Sequence, residues 1–220
     1  MARTRGRDSF KPAKKKSQRR RRDVYVFTEG EVTEPQYIDI ITKRAGAPDV
    51  EVHIANESAP GSQRKPLKLV EAAVQLSREK TREAKRDGRP KQYWPSVWCL
   101  FDRDEHVKIE AALKQAKEGG VRVAFSHPCF ELWRLLHHKA VTNTFGGVCE
   151  AAAQKLPFAS KANDIKVVLS DQIPAGSFAV AKKRAKQINQ EYGPHVSKLL
   201  RDPYTDVYEF VEEGLGITAY

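Results

Sequence analysis

Hydrophobic and polar positions repeat with two different periods along this chain, and the places where the period changes mark its elements. DVYVFT (23–28) is an apolar run of strand length closed by Glu29-Gly30. Beyond it, Tyr37, Ile38 and Ile41 fall on one side of a helix expected from about Glu34 to Arg44. Thr33 is its expected cap, and Pro35 sits in the first turn, where a missing N–H costs little. DVEVHIA (49–55) alternates as a second strand, and NESAPGSQRKP (56–66) has the glycine, proline and serine content of a loop. From Leu67 to about Arg86, Val70, Ala73, Val74 and Ser77 line one side of a long helix. SVWCLF (96–101) is the most apolar strand, and a helix from about Val107 to Glu118 stops at Gly119-Gly120. VRVAFS (121–126) is a fourth strand, and Phe130 to His138 a short amphipathic helix.

Strands alternating with helices predict an α/β fold, with about four mainly parallel strands flanked by helices. The rest of the chain reads as helical, with Ala181, Ala185, Ile188 and Tyr192 as the buried stripe of a helix over about 178–192. Near the end, Val207, Phe210 and Val211 share a helical side and are expected in the core rather than at an interface. Three segments result: an arm over 1–22, an α/β core over 23–140, and a helical C-terminal region over 141–220 packed on that core.

Charge sharpens the first boundary. The chain carries a formal net charge of +11, and residues 1–22 hold eleven Lys/Arg against the single acid Asp8. The arm therefore accounts for nearly all the excess, cannot bury apolar surface, and is expected to be disordered when free. Its basic blocks, ending in Arg19, Arg20, Arg21 and Arg22, suit nucleic-acid phosphates. A solubilising tail, or contact with anionic lipid or ribosomal RNA, would have the same composition. Lys182, Lys183 and Lys186 lie off the apolar stripe of their helix and are further candidates for backbone contacts. No apolar run approaches the roughly 20 residues of a membrane span, and the N-terminus lacks the apolar centre of a secretory signal. Three widely spaced cysteines, Cys99, Cys129 and Cys149, predict no disulfide scaffold and a reducing, cytoplasmic setting.

The candidate chemistry lies in carboxylates. Loops at the carboxyl ends of strands form the functional crevice of an open α/β sheet. Glu29 ends the first strand, Asp102 and Asp104 follow the third in FDRDEH (101–106), and Glu131 opens the helix after the fourth in SHPCFELW (126–133). A strand order of 2-1-3-4 would make the first and third strands neighbours and bring these acids together. Taken singly, each fragment equally fits a solvated turn or an acidic helix start favoured by the helix dipole. Their conjunction predicts a divalent cation, because clustered carboxylates raise one another's pKa and a doubly charged ion removes that cost. Hard oxygen donors point to Mg²⁺ (or Mn²⁺) and a phosphodiester substrate. His127, Cys129, His137 and His138 match no standard zinc ligand set.

Four blocks in one order, TEGEVTEPQYID (28–39), FDRDEH (101–106), SHPCFELWRLLHH (126–138) and DPYTDVYEFVE (202–212), resemble the RloB-like family, found beside restriction–modification and abortive-infection genes in bacteria. The resemblance implies a fold similar to the Toprim domain, in which a glutamate after strand one and an Asp-x-Asp after strand three bind Mg²⁺. Carried onto this chain, those ligands are Glu29, Asp102 and Asp104. Glu34 resembles a further acid of the OLD-type nuclease pattern, and Ser126 with Glu131 resembles its Ser-plus-Glu element. The implied catalytic set is Glu29, Glu34, Asp102, Asp104 and Glu131, in a metal-dependent nuclease that cleaves RNA such as tRNA, or DNA, during phage defence. A non-catalytic subunit of a restriction or defence complex, binding metal and nucleic acid or a nucleotide, is the alternative. The chain has no Walker motif, so any energy-driven gating implies a partner protein.

Overall fold

A computed structural model describes residues 21–46, 49–103, 108–160 and 164–220. Arg19, Arg20 and Asp104 lie outside the described residues, as does nearly all of the arm. Five strands form one sheet: β1 (Arg22–Thr28), β2 (Val50–Ile54), β3 (Ser96–Asp102), β4 (Arg122–His127) and β5 (Tyr204–Thr205), in the order β2-β1-β3-β4-β5. The first four run parallel, as strands separated by helical crossovers must. β5 pairs antiparallel with β4, Ser126 opposite Thr205. This fifth strand lies in the part of the chain read as helical. It is two residues long, too short for an alternating pattern to announce it.

The helices are α1 (Thr33–Arg44), α2 (Pro66–Arg86), α3 (Ile109–Gly119), α4 (Phe130–Leu136), α5 (Cys149–Ala153), α6 (Phe178–Gln190) and α7 (Val207–Glu209), the last continuing as a π-turn over Phe210–Gly214. Gly120 ends α3 in the left-handed conformation (φ 69°) that its missing Cβ permits. Thr33 belongs to α1 instead of capping it, and its hydroxyl donates to the Lys166 carbonyl at 2.9 Å.

Alternate residues of the strands feed two cores. Phe27, Val97, Cys99, Phe101 and Phe125 pack against α2 and α3. Val24, Val26, Trp98, Leu100 and Ala124 face α1, α4, α6 and the C-terminal turns, where Val207, Phe210 and Val211 are buried as expected. A sheet covered on both faces leaves only its edges for function. Among the described residues, no helix is long and apolar enough to cross a membrane.

Two expectations need correction. Arg22 is not part of a free arm: it opens β1, and its guanidinium donates to the carbonyls of Glu213 (3.0 Å) and Gly214 (2.8 Å). The orphan carbonyls of the C-terminal turn make a better partner for it than solvent. Cys129 and Cys149 are joined as a disulfide, with Cα atoms 5.4 Å apart, while Cys99 is free and buried. An odd cysteine count requires only that one be unpaired. The folding back of the chain that joins residues 20 apart is not visible in their spacing.

Candidate metal centre

Because β1, β3 and β4 are parallel neighbours, their carboxyl ends meet along one edge. Thr28 is level with Leu100, and Asp102 with Ser126. The Glu29 N–H donates to the Leu100 carbonyl at 3.0 Å, extending the ladder by one residue. In return the Asp102 N–H donates to Oε2 of Glu29 at 2.9 Å, which turns that carboxylate across the strand junction. Oδ2 of Asp102 accepts from the Phe130 N–H at 3.0 Å, so β3 and the start of α4 are locked together. Glu34 reaches back from the first turn of α1, where Oε1 accepts from the Gly30 N–H at 3.0 Å. A Cβ on residue 30 would stand 2.1 Å from Oε2 of Glu34, so glycine there is a condition of this arrangement.

These acids feel one another. Burial pushes the Glu34 carboxyl up to about 7, with the Glu131 and Glu29 charges adding to the shift. Asp102 is raised well above the usual carboxylate range by burial, then by Glu34, Glu29 and Glu131, against the lowering effect of its Phe130 hydrogen bond. Burial also raises Glu131, partly offset by its own backbone N–H and by the charges of Arg134 and Lys166. Glu31 stays out of the group: it is exposed and pairs with Arg64 at 3.4 Å. Ser126 meets Thr205 hydroxyl to hydroxyl at 3.1 Å.

The donor chemistry fits Mg²⁺, an ion satisfied by one or two carboxylates plus waters. It does not fit an ion bound by three of these carboxylates at once. Among the described residues, the one group of three potential ligand atoms within 4.8 Å of one another is Cys129, Glu131 and Cys149.

The cations at this edge are not the ones the sequence points to. A cleft of about 430 Å³ beside Glu29 is lined by Glu31, Thr33, Arg64, Lys65 and Lys166. Arg64, buried, donates to the carbonyls of Thr28, Gly30, Asn56, Glu57 and Ala59, holding the turn that carries Glu29. Lys65 and Lys166 are exposed at its mouth. Arg134 organises the segment bearing Lys166 by donating to the Ile165 carbonyl (2.5 Å) and to Oε1 of Gln172 (2.9 Å), 3.9 Å from Glu131. No periodicity marks these residues, because three of the four lie in loops or at a loop–helix junction. Lys182 is ion-paired with Glu212, and Lys186 lies over the Tyr208 ring, so these two line a separate groove along α6 together with exposed Lys183.

Four acids converging at the carboxyl edge of a mostly parallel sheet, with two exposed lysines beside them, define an α/β protein with an acidic centre. The family model described as RloB-like protein matches residues 24–213, and the chain belongs to that family. No curated protein and no solved structure matches it.

Proposed function

We propose that this protein is a Mg²⁺-dependent nuclease of the Toprim type, acting on RNA such as tRNA, or on DNA, in bacterial phage defence. The observation that carries this reading is the gathering of Glu29, Glu34, Asp102 and Glu131 at one sheet edge, where burial raises Glu34, Asp102 and Glu131 and neighbouring acids raise the first two further. A divalent cation would relieve the cost of that arrangement. Bound there, the ion would neutralise the acids and polarise a phosphodiester. Glu29 and Asp102 would hold it, with Asp104, two residues further along the chain, as the third ligand that the family resemblance implies. Glu34, poised near neutrality, can take a proton from water. Lys65 and Lys166 would seat the flanking phosphates, giving affinity with little sequence information.

Purified chain incubated with labelled tRNA, duplex DNA and single-stranded DNA, with Mg²⁺, Mn²⁺ or chelator, tests this. Metal-dependent cleavage lost in Asp102→Ala is expected; cleavage of none of the three, or cleavage indifferent to that change, rejects the reading. A second reading, binding without cleavage as a subunit of a defence complex, is favoured by one observation. Among the described residues, no three of the carboxylates bring oxygens within 4.8 Å of one another. Metal-dependent nucleic-acid binding without turnover would select it.

A further inference from the structure

We propose that Cys129, Cys149 and Glu131 form a second metal site, of the soft, zinc-binding kind, which exists when the two cysteines are reduced. Their ligand atoms lie within 4.8 Å of one another. Ligands of a tetrahedral zinc stand roughly 3.3–3.8 Å apart, given bond lengths of about 2.0–2.3 Å. Sγ of Cys149 is already 3.5 Å from Oε2 of Glu131. Cys129 is buried immediately before α4, and half-buried Cys149 opens α5, so an ion can enter from the Cys149 side.

The disulfide is not the only tie on the segment between the two cysteines. Asp202 holds the intervening turn, accepting from the Thr144 hydroxyl (2.6 Å) and the Gly147 N–H (2.7 Å) on Oδ2. A dithiol reductant delivers two electrons and two protons to the S–S bond, leaving two thiols and its own disulfide. On metal binding those thiols release two protons and become thiolates. Two thiolates, one carboxylate and a water in the fourth position are a donor set for zinc, whereas Mg²⁺ does not select sulfur. The set carries one negative charge more than the ion neutralises, and Arg134, 3.9 Å from Glu131, faces that excess together with Lys166.

Glu131 is shared with the acidic edge, so zinc held by the thiolates withdraws a carboxylate from it. That consequence rests on the nuclease reading; the site itself does not. The full chain, stripped of metal, reduced with a dithiol and desalted without oxygen, is titrated with Co²⁺ as an optical stand-in, then with Zn²⁺. A thiolate-to-cobalt charge-transfer band saturating at one equivalent and displaced by Zn²⁺ is expected in the reduced chain, and none in the oxidised chain. Cys129→Ser and Cys149→Ser should each lose the band and weaken binding by more than the roughly 10–100-fold that removing a ligand's hydrogen-bond partner costs. Glu131→Gln should weaken binding while the band persists. Cys99 is buried with its thiol pushed up, and does not compete. Absence of the band in reduced wild type, or its survival in Cys149→Ser, overturns the proposal whatever the nuclease assay gives.

Discussion

Gly30 shows how one residue conditions the whole centre. Its amide holds Glu34 and its missing side chain makes room for that carboxylate. Gly30→Ala should fold, displace the Glu34 carboxylate at a cost of about 1–3 kcal/mol, and lose metal-dependent cleavage. Urea melts beside the nuclease assay check both. Glu34 also sets a pH dependence. Its carboxyl is raised from 4.5 to about 7 in the fold. Between those values the folded chain binds more protons than the unfolded one, so stability falls as pH rises through that window. Asp102 and Glu131 shift in the same direction. Metal-free chain should therefore have a higher urea midpoint at pH 5 than at pH 8. Mg²⁺ should restore the loss at pH 8 by stabilising the folded state it binds, and Glu34→Gln should flatten the profile. A metal-free midpoint that does not fall with pH would mean that burial and neighbouring charge do not hold these carboxyls protonated.

Among the elements, the acids stand at strand ends or in the first turn of the helix that follows, while the cations other than Arg134 lie in loops or at a loop–helix junction, and the two groups differ in how readable they are. The apolar runs of β1, β3 and β4 and the acids that follow them are local patterns, whereas the order that makes β1 and β3 neighbours entered the sequence reading only as a condition, which the structure meets. Arg134 reaches the Ile165 carbonyl, the Lys166 carbonyl is met by Thr33 from 133 residues away, and Arg64 joins the nearby carbonyls of Asn56, Glu57 and Ala59 to the distant ones of Thr28 and Gly30. No short window of sequence contains the distant partners. The disulfide was illegible for the same reason, and β5 because two residues are too few to show an alternating pattern. The Arg64 site can be tested at this scale: five carbonyls share one guanidinium. Arg64→Met keeps bulk and leaves those acceptors short of donors, so a loss of about 3 kcal/mol or more in urea unfolding is expected. Arg64→Lys should recover only part of it, since an ammonium lacks the planar fork.

At the scale of the molecule, charge is divided between the two ends of the sheet. The acidic centre and its lysines occupy the carboxyl end. At the amino end Arg22 and Arg122 are engaged internally, on the Glu213–Gly214 carbonyls and on the Glu213 carboxylate. The basic residues before Arg21 therefore join the fold at the far edge, about 20 Å of strand from Glu29. Twenty extended residues span up to roughly 65 Å, enough to follow a nucleic acid past the sheet without entering the centre. Binding strength and cleavage should thus separate. Deleting residues 2–20 removes nine Lys/Arg. It should reduce the slope of log affinity against log salt by about 0.9 for each duplex phosphate that is no longer neutralised, and weaken long nucleic acid far more than a short oligonucleotide. Replacing Lys65 and Lys166 by glutamate should change that slope by only about 2 yet abolish cleavage of the short substrate, because those side chains stand at the cleft beside Glu29. Fluorescence anisotropy across a salt series, paired with single-turnover cleavage, measures both quantities on the same samples. Equal loss of cleavage in the two variants on a short substrate would place the arm in the centre after all.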